Sequence, residues 1–569
     1  MGRLTTMKLP RQARRCRRIV GAIVMTLPLM SAVAEDSTPE STHIASFSGR
    51  SATLLTPALL EASGASIGAV TINNRNIFDL DDPEEDKAIF RLANRIHVTT
   101  RPDVIEQQLL FEPGESFSAQ ALEESERIIR TKRYIHEVSI QPVRHENGVV
   151  DVNVETTDTW TLMPRLSLSR SGGQNKYAFG IKEQNLLGSG TAIQLMFKSD
   201  VDRDSRVLKY NDENLGNSWY GLSLDYEDNS DGYVRFLEIG KPFYSLNSRN
   251  AQGLSFLNKD SIGTFYDRGE IASEYREQEA AYELYRGWSK GLQNGWTRRY
   301  SAGLAYEDHR FSPVPDSDYS LSIVPQDREL LTPFVAVEIV EDHFEKSKNH
   351  DQINSIEDRF LGTRFTARLG VAREDAGSDR DAWLVHVGAQ TGIGDSETNS
   401  LLLASALAGR LERGGIRDAT LDLSASYYRH QSDRRRLYVG LAATVGKNLD
   451  LDKYLVLGGE TGLRGYPLRF QTGDKRVLFT VEQRYFTNRY LFRLFHVGGA
   501  VFFDMGRAWG DSPVGVSDNP LLKDIGVGLR FESGRSGLGR MIHVDLAVPL
   551  DDNDGIDSVQ ILVSTKKGF

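Results

Sequence analysis

The most constraining feature of this sequence is a two-residue alternation of apolar and polar side chains that runs from Trp160 to Phe569. One segment, for example, carries Leu421 and Leu423 on one face and Asp422 on the other. Successive side chains of a β-strand point to opposite faces, whereas a helix would repeat every 3.6 residues. Most of the chain is therefore expected to form antiparallel β-strands, separated by polar or glycine-rich turns.

Two architectures fit this pattern, a soluble sandwich or barrel with an apolar core and a membrane barrel with an apolar outer surface and a polar lumen. A hydrophobic content of 40% excludes a bundle of membrane helices. Aromatic pairs stand near segment ends, as in the aromatic girdles of membrane barrels. These pairs are Trp219-Tyr220, Tyr427-Tyr428, Tyr485-Phe486 and Phe502-Phe503. The sequence favours an all-β transmembrane barrel over 158–569, which has room for 16 long strands or for up to 20 shorter candidate segments.

The N-terminus carries the pattern of a secretory signal peptide over 1–34. Basic residues precede an apolar stretch at 19–30, and Ala32-Val33-Ala34 is a small-residue cleavage site. Cys16 is the one cysteine of the chain and would leave with the signal. We expect a mature protein without cysteine, which suits an oxidising compartment.

A small α/β domain is predicted between a linker (35–66) and the barrel. Residues 67–157 show a βααββ pattern, in which Pro102 opens one helix and Ser118 caps a second. The last strand alternates Val150, Val152 and Val154 with polar residues. We expect one compact core in this domain.

Composition and motifs favour a protein that is not an enzyme. The net charge of −10 argues against a nucleic-acid partner, which requires a basic surface. No Gly-x-Ser-x-Gly motif stands at a strand-to-helix turn, and the 11 histidines lack the spacing of metal ligands. We expect no cofactor and no metal, and the oligomeric state stays open.

The most specific motif is Leu463-Arg464-Gly465-Tyr466-Pro467, which follows Gly458-Gly459 and precedes Glu482. It resembles the Arg-Gly-aromatic loop of the outer-membrane assembly-factor superfamily, which comprises the BamA/TamA-like proteins and the two-partner secretion transporters. The stretch 111–118 is similar to the core pattern of a POTRA domain, and 179–190 is similar to an early barrel hairpin of the family. Phe569 resembles the end of the C-terminal β-signal.

The resemblance implies a barrel of 16 strands in which the motif loop lies between the eleventh and twelfth strands and folds back into the lumen. It also implies that Arg464 pairs with carboxylates on the following strands. The alternation supports this pairing independently, because Glu482 and Asp504 fall on the face opposite to Val481 and Phe503. We therefore predict that Arg464 is locked by Glu482 and Asp504.

The function expected from the resemblance is translocation or insertion of polypeptides at the outer membrane. A periplasmic POTRA-like domain would dock an unfolded client polypeptide by strand addition, and the barrel would lie in outer-membrane lipid. A passive solute porin, a dedicated two-partner secretion transporter and a structural or adhesive surface barrel remain as alternatives.

Overall fold

A computed structural model describes residues 56–171, 173–315, 317, 319, 322–536, 541–551 and 556–566. The predicted signal peptide, most of the predicted linker and Phe569 lie outside these ranges. The helices are α1 (Pro57–Ala62), α2 (Ala88–Ile96), α3 (Pro102–Glu106) and α4 (Ala119–Arg130). The first strands are β1 (Ser66–Arg75), β2 (Ile135–Glu146) and β3 (Val149–Asp158).

The remaining strands follow in chain order. They are β4 (Met163–Ser171), β5 (Gln174–Glu183), β6 (Ala192–Ser199), β7 (Asp204–Asp212), β8 (Gly221–Asn229), β9 (Gly232–Lys241), β10 (Asn250–Asp267), β11 (Glu270–Gln293), β12 (Trp296–Pro313), β13 (Arg328–Glu341), β14 (Phe344–Lys348), β15 (Ile356–Phe360), β16 (Arg364–Ala372), β17 (Ala382–Gly394), β18 (Asn399–Glu412), β19 (Gly415–Ser432), β20 (Arg435–Lys447), β21 (Leu455–Leu457), β22 (Gln471–Gly473), β23 (Lys475–Leu491), β24 (Phe495–Ser512), β25 (Gly515–Ser517), β26 (Leu522–Ser533), β27 (Met541–Pro549) and β28 (Gln560–Lys566).

The N-terminal module (56–160) is a three-stranded mixed sheet covered by helices. The strand order is β1-β3-β2, with β1 parallel and β2 antiparallel to the central strand. The hydroxyl of Ser118 accepts the N–H of Ala121 and caps α4. Val150, Val152 and Val154 of β3 are fully buried and pack in one core with Ile129 of α4. Helix α2 was not predicted. Its Phe90 packs with Ile77 and Phe78, whereas Ile89, Leu92 and Ile96 are exposed.

The barrel consists of 20 antiparallel strands, counted from β4 to β28 without β14, β15, β21, β22 and β25. The expected number of 16 is therefore wrong, and the upper limit of the sequence estimate is the observed value. The first six barrel strands are only 8 to 10 residues long. This part of the chain therefore contains more strands than a barrel of 16 long strands would place there. Five barrel strands follow the motif loop, as expected, so the loop joins the fifteenth and sixteenth strands.

The outer surface of the barrel is apolar and its lumen is polar. On β26, Ile525, Val527 and Leu529 are 45%, 52% and 53% exposed, whereas Asp524 and Arg530 are completely buried inside. An apolar surface that encloses charged residues is the pattern of a membrane-spanning barrel and the reverse of a soluble one.

Among the described helices, none is long and apolar enough to cross a bilayer.

The module packs against the end of the barrel where β4 begins. The N–H of Leu246, in the turn after β9, donates to the carboxylate of Glu124 at 2.8 Å. Burial at this contact raises the pKa of Glu124 above its ordinary value. The guanidinium of Arg535 bonds to Glu85 at 2.6 Å, and Lys132 bonds to Glu213 at 2.6 Å. The module is thus held at several points around the rim.

We expect a fragment spanning 56–160 to fold alone, because its core is complete within the module. Ile129→Ala should lower its free energy of unfolding by about 2–5 kcal/mol, since the side chain is 1% exposed. Leu59→Ala, at a position that is 54% exposed, should change it by less than about 0.5 kcal/mol. Urea unfolding followed by circular dichroism measures both, and equal losses would contradict the assigned core.

Candidate functional site

Two segments of the chain enter the lumen from opposite ends. The module precedes β4, which is the first strand of the barrel. The first, third and every other odd strand in barrel order therefore run away from the module, and the even strands run back towards it. Residues 448–474, here called the lumen loop, follow the fifteenth strand and enter from the far end. Residues 342–363, the lumen hairpin, lie between the tenth and eleventh strands and enter from the module end; they contain the paired strands β14 and β15.

Arg464 of the lumen loop makes a three-point contact with two carboxylates on the wall. Its Nε and Nη2 donate to the two oxygens of Asp504 at 2.6 and 3.0 Å, and its Nη1 donates to Glu482 at 3.0 Å. The guanidinium also stacks on Phe502, with its carbon 3.3 Å from the ring centroid. Asp504 is fully buried, and Arg464 is 6% exposed. The geometry is the planar, two-point contact that only an arginine makes.

The neighbours of Arg464 fix the loop backbone against the wall. The N–H of Gly465 donates to Asp524 at 3.0 Å, and a side chain at this glycine would meet the Cβ of Asp524 at 2.6 Å. The hydroxyl of Tyr466 bonds to the carbonyl of Lys523 at 2.7 Å, and Leu463 is fully buried. The motif therefore combines a charge pair, a close backbone approach and an apolar anchor.

Pro467 closes the motif by a backbone contact. Its carbonyl accepts the N–H of Gly459 at 3.0 Å, and a Cβ at Gly458 would lie 2.3 Å from the same oxygen. The two glycines thus allow the ends of the tight loop to meet. At the mouth of the lumen, Arg469 bonds to Asp202 at 2.7 and 2.8 Å and ties the loop to the β6–β7 turn.

Glu482 is shared by three arginines. Besides Arg464, it accepts Arg484 Nε at 2.9 Å, and Arg530 Nη2 lies 3.6 Å away. Arg530 in turn donates to Asp545 at 2.5 Å. All these side chains are buried inside the barrel. Each guanidinium faces at least one carboxylate, as charges removed from water require.

The tip of the lumen hairpin reaches the same network from the other end. Arg484 Nη1 donates to Asp351 at 2.8 Å and to the carbonyl of His350 at 3.0 Å. The buried Ile353 packs with Phe486 and Met541 of the wall. Arg484 therefore holds the hairpin tip with one end of its guanidinium and Glu482 with the other.

The base of the lumen hairpin is bound to helix α4 of the module. Arg130 donates to Asp358 at 2.5 Å, and Lys346 bonds to Glu126 at 2.6 Å. The guanidinium of Arg127 lies 3.8 Å from the ring centroid of Phe344. A continuous set of contacts thus runs from the module to the lumen loop.

The structure brings together all the predicted residues that it describes and adds charged partners that were not predicted. Several of these follow the same alternation that placed Glu482 and Asp504 inside, namely Arg484, Asp524, Arg530 and Asp545. Asp351 had no signal in the sequence, because it reaches the lumen on a loop. The predicted β-signal residue Phe569 lies outside the described residues.

A cluster of Glu277, Glu279 and His309 in the lumen has the residue types of a metal site, with ligand atoms within 4.8 Å of one another. The ammonium of Lys259 lies 2.7 Å from Glu277 and 3.6 Å from Glu279. Because a lysine already supplies the positive charge, we assign no metal to this cluster.

The first and last barrel strands meet in a weak seam. Within the described ranges, β28 and β4 are in register at one residue pair, Val563 opposite Arg170. The next-shortest strand pairs of the wall have seven. Since each ladder pair contributes hydrogen bonds, the described part of this seam offers the fewest of them in the wall.

Comparison with solved structures finds several similar proteins. The chain is similar to BamA from Haemophilus ducreyi lacking POTRA domains 1–3, with 13% identity, 87% of this chain and 85% of that chain covered, and a TM-score of 0.36. It is similar to CdiB from Escherichia coli, with 15% identity, coverage of 88% and 76%, and a TM-score of 0.45. It is also similar to the FrpB iron transporter from Neisseria meningitidis, with 9% identity, coverage of 73% and 82%, and a TM-score of 0.37.

No family model and no curated protein matches the chain. BamA is also one of the proteins for which the superfamily that the motifs resemble is named. Because the TM-scores lie below 0.5, the function proposed below rests on the geometry of the site.

Arg464→Ala should release the lumen loop, because it leaves Glu482 and Asp504 facing each other without the shared cation. We expect faster hydrogen exchange across 458–470 with the barrel still assembled, and Arg464→Lys should restore little protection. In a double-mutant cycle, Arg464→Ala with Glu482→Gln should cost less than the sum of the single changes. Arg413→Ala, at an exposed turn, is the control. Additive losses would mean that the two residues do not act as a pair.

Asp351→Asn should loosen the hairpin tip, because it removes the charge that Arg484 binds. Limited proteolysis of the protein in detergent should then cut within 349–355 several times faster, while Asp381→Asn, on an outer turn, should leave this segment protected. Unchanged cleavage would contradict a role of the Asp351–Arg484 pair in holding the tip.

Proposed function

We propose that the protein inserts polypeptides into the outer membrane through the seam between β4 and β28, with the N-terminal module acting as a POTRA-like docking domain on the periplasmic side. The observation that carries the proposal is the combination of a seam that is joined, within the described ranges, at one residue pair with a lumen crossed by two loops that meet at Arg484 and Glu482. A client strand would pair with the open edge of the seam, where backbone hydrogen bonds tolerate any sequence.

The module supports this proposal by its position and its free edge. Strand β2 lies at the side of the sheet, with β3 as its one strand partner among the described residues. An extended client could therefore add beside β2 and be passed to the nearby seam. In this reading the protein is not an enzyme, and its partners are outer-membrane lipid and an unfolded client polypeptide.

A passive porin fits the lumen poorly. Arg464, Arg484 and their carboxylates bind two loops across the interior, whereas a porin needs a wide aqueous channel. Dedicated secretion through the lumen, as in a two-partner transporter, would require both loops to leave together. The seam requires no such rearrangement, and for this reason we favour insertion.

Cross-linking the seam tests the proposal. We expect Arg170→Cys with Val563→Cys to abolish activity when oxidised and to recover it on reduction, because the disulfide closes the seam. The predicted mature chain has no other cysteine. Ala367→Cys with Val387→Cys, an opposed pair on β16 and β17, is the control and should stay active.

Activity is measured in cells that lack the natural protein, as the abundance of outer-membrane and secreted proteins. Full activity with a closed seam would contradict insertion and point to passage through the lumen. An unchanged proteome with altered solute permeability would point to a porin.

A further inference from the structure

A cavity of about 770 Å³ lies below the seam, between helix α2 of the module and the rim of the barrel. Its wall includes Met163 and Pro164 of β4 and Thr565 of β28, the two strands that form the seam. This volume is within the range of ligand pockets. The feature is separate from the charge network of the lumen.

The cavity is bordered by residues of both the outer and the inner rows of the barrel wall. Ile542 belongs to the outward row of β27 that continues with the exposed Leu546 and Val548. Lys182 and Lys209, by contrast, follow the inward alternation of β5 and β7, one position from the exposed Ile181 and Leu208. The cavity therefore lies at the edge of the wall, beside the outer, apolar surface of the barrel.

Helix α2 forms an apolar floor. Ile89, Leu92 and Ile96 all line the cavity and are 66%, 54% and 53% exposed. Their spacing puts them on one face of the helix, while Arg91 and Arg95 lie on the other. An amphipathic helix with basic residues on its polar face is typical of elements that lie at a membrane surface.

The charged side chains of the lining are all basic. Arg133, Lys182, Lys209 and Arg535 contribute to it, and the described lining contains no Asp or Glu. Lys209 and Arg535 already bond to carboxylates outside the lining. For Arg133, by contrast, the described residues provide no carboxylate within salt-bridge distance. The cavity thus combines an apolar floor with a positive rim.

We propose that this cavity binds a phospholipid of the periplasmic leaflet, with one acyl chain on Ile89, Leu92 and Ile96 and the phosphate near Arg133. An acyl chain needs no hydrogen-bond partner, whereas a polypeptide would bring N–H and C=O groups that the apolar side chains of α2 leave unsatisfied. The positive rim complements the phosphate. This site does not depend on the proposed function, because lipid binding is measured directly.

Trp160 lines the cavity and serves as a natural probe. The full protein is placed in nanodiscs that contain phosphatidylglycerol brominated on the acyl chain, which quenches nearby tryptophan. The difference between the natural protein and Trp160→Phe gives the part of the quenching that belongs to Trp160. We expect this part to be strong and Leu92→Asp to remove it. Leu59→Asp, at a position equally exposed but outside the cavity, should leave it unchanged.

The headgroup is tested by Arg133→Ala. This change should lower the preference for phosphatidylglycerol over phosphatidylethanolamine about fivefold, as expected for one basic side chain beside an anionic lipid. Absence of Trp160 quenching, or equal effects of Leu92→Asp and Leu59→Asp, would overturn the proposal. So would a photoreactive amino acid at position 92 that cross-links in cells to polypeptide and not to phospholipid.

Discussion

The interior of the barrel depends on charges that are buried and therefore have to be paired. Arg464, Arg484, Glu482 and Asp504 are almost completely removed from solvent. Breaking a buried pair by removing one partner costs about 3–5 kcal/mol, because the other charge stays buried without compensation. A surface pair contributes about 0–1 kcal/mol. The lumen loop is thus held by few interactions, each of which is strong only while the whole network is intact.

The network also connects two ends of the molecule. The lumen hairpin begins beside helix α4, where Asp358 binds Arg130, and its tip ends at Arg484. Arg484 shares Glu482 with Arg464 of the lumen loop. Displacement of α4 by a client would therefore act on the same charges that keep the lumen loop in place. The shared carboxylate makes the positions of the two loops interdependent.

The sequence predicted the parts of this arrangement that depend on local patterns. Strand parity placed Glu482 and Asp504 inside, and the valines of β3 and the cap at Ser118 defined the module. The alternation of side chains does not give the number of strands, because short and long strands alternate in the same way. The short strands β4 to β9 raised that number above the expected 16. The position of Asp351 depends on a loop that folds back into the barrel, and no local pattern encodes such a long-range contact.

Helix α2 shows the same limit of sequence patterns. Phe90 packs with Ile77 and Phe78, whereas Ile89, Leu92 and Ile96 face a cavity, and the apolar period does not distinguish these two surroundings. Within the described ranges, β4 and β28 are in register at one residue pair, so this edge offers fewer ladder hydrogen bonds than the other strand pairs of the wall. The apolar face of α2 and an acyl chain bound on it would exclude water from the edge, but they would offer its N–H and C=O groups no hydrogen-bond partner. In the proposed function a client strand would supply those partners, so the short seam and the apolar face of α2 would both favour strand pairing at this edge.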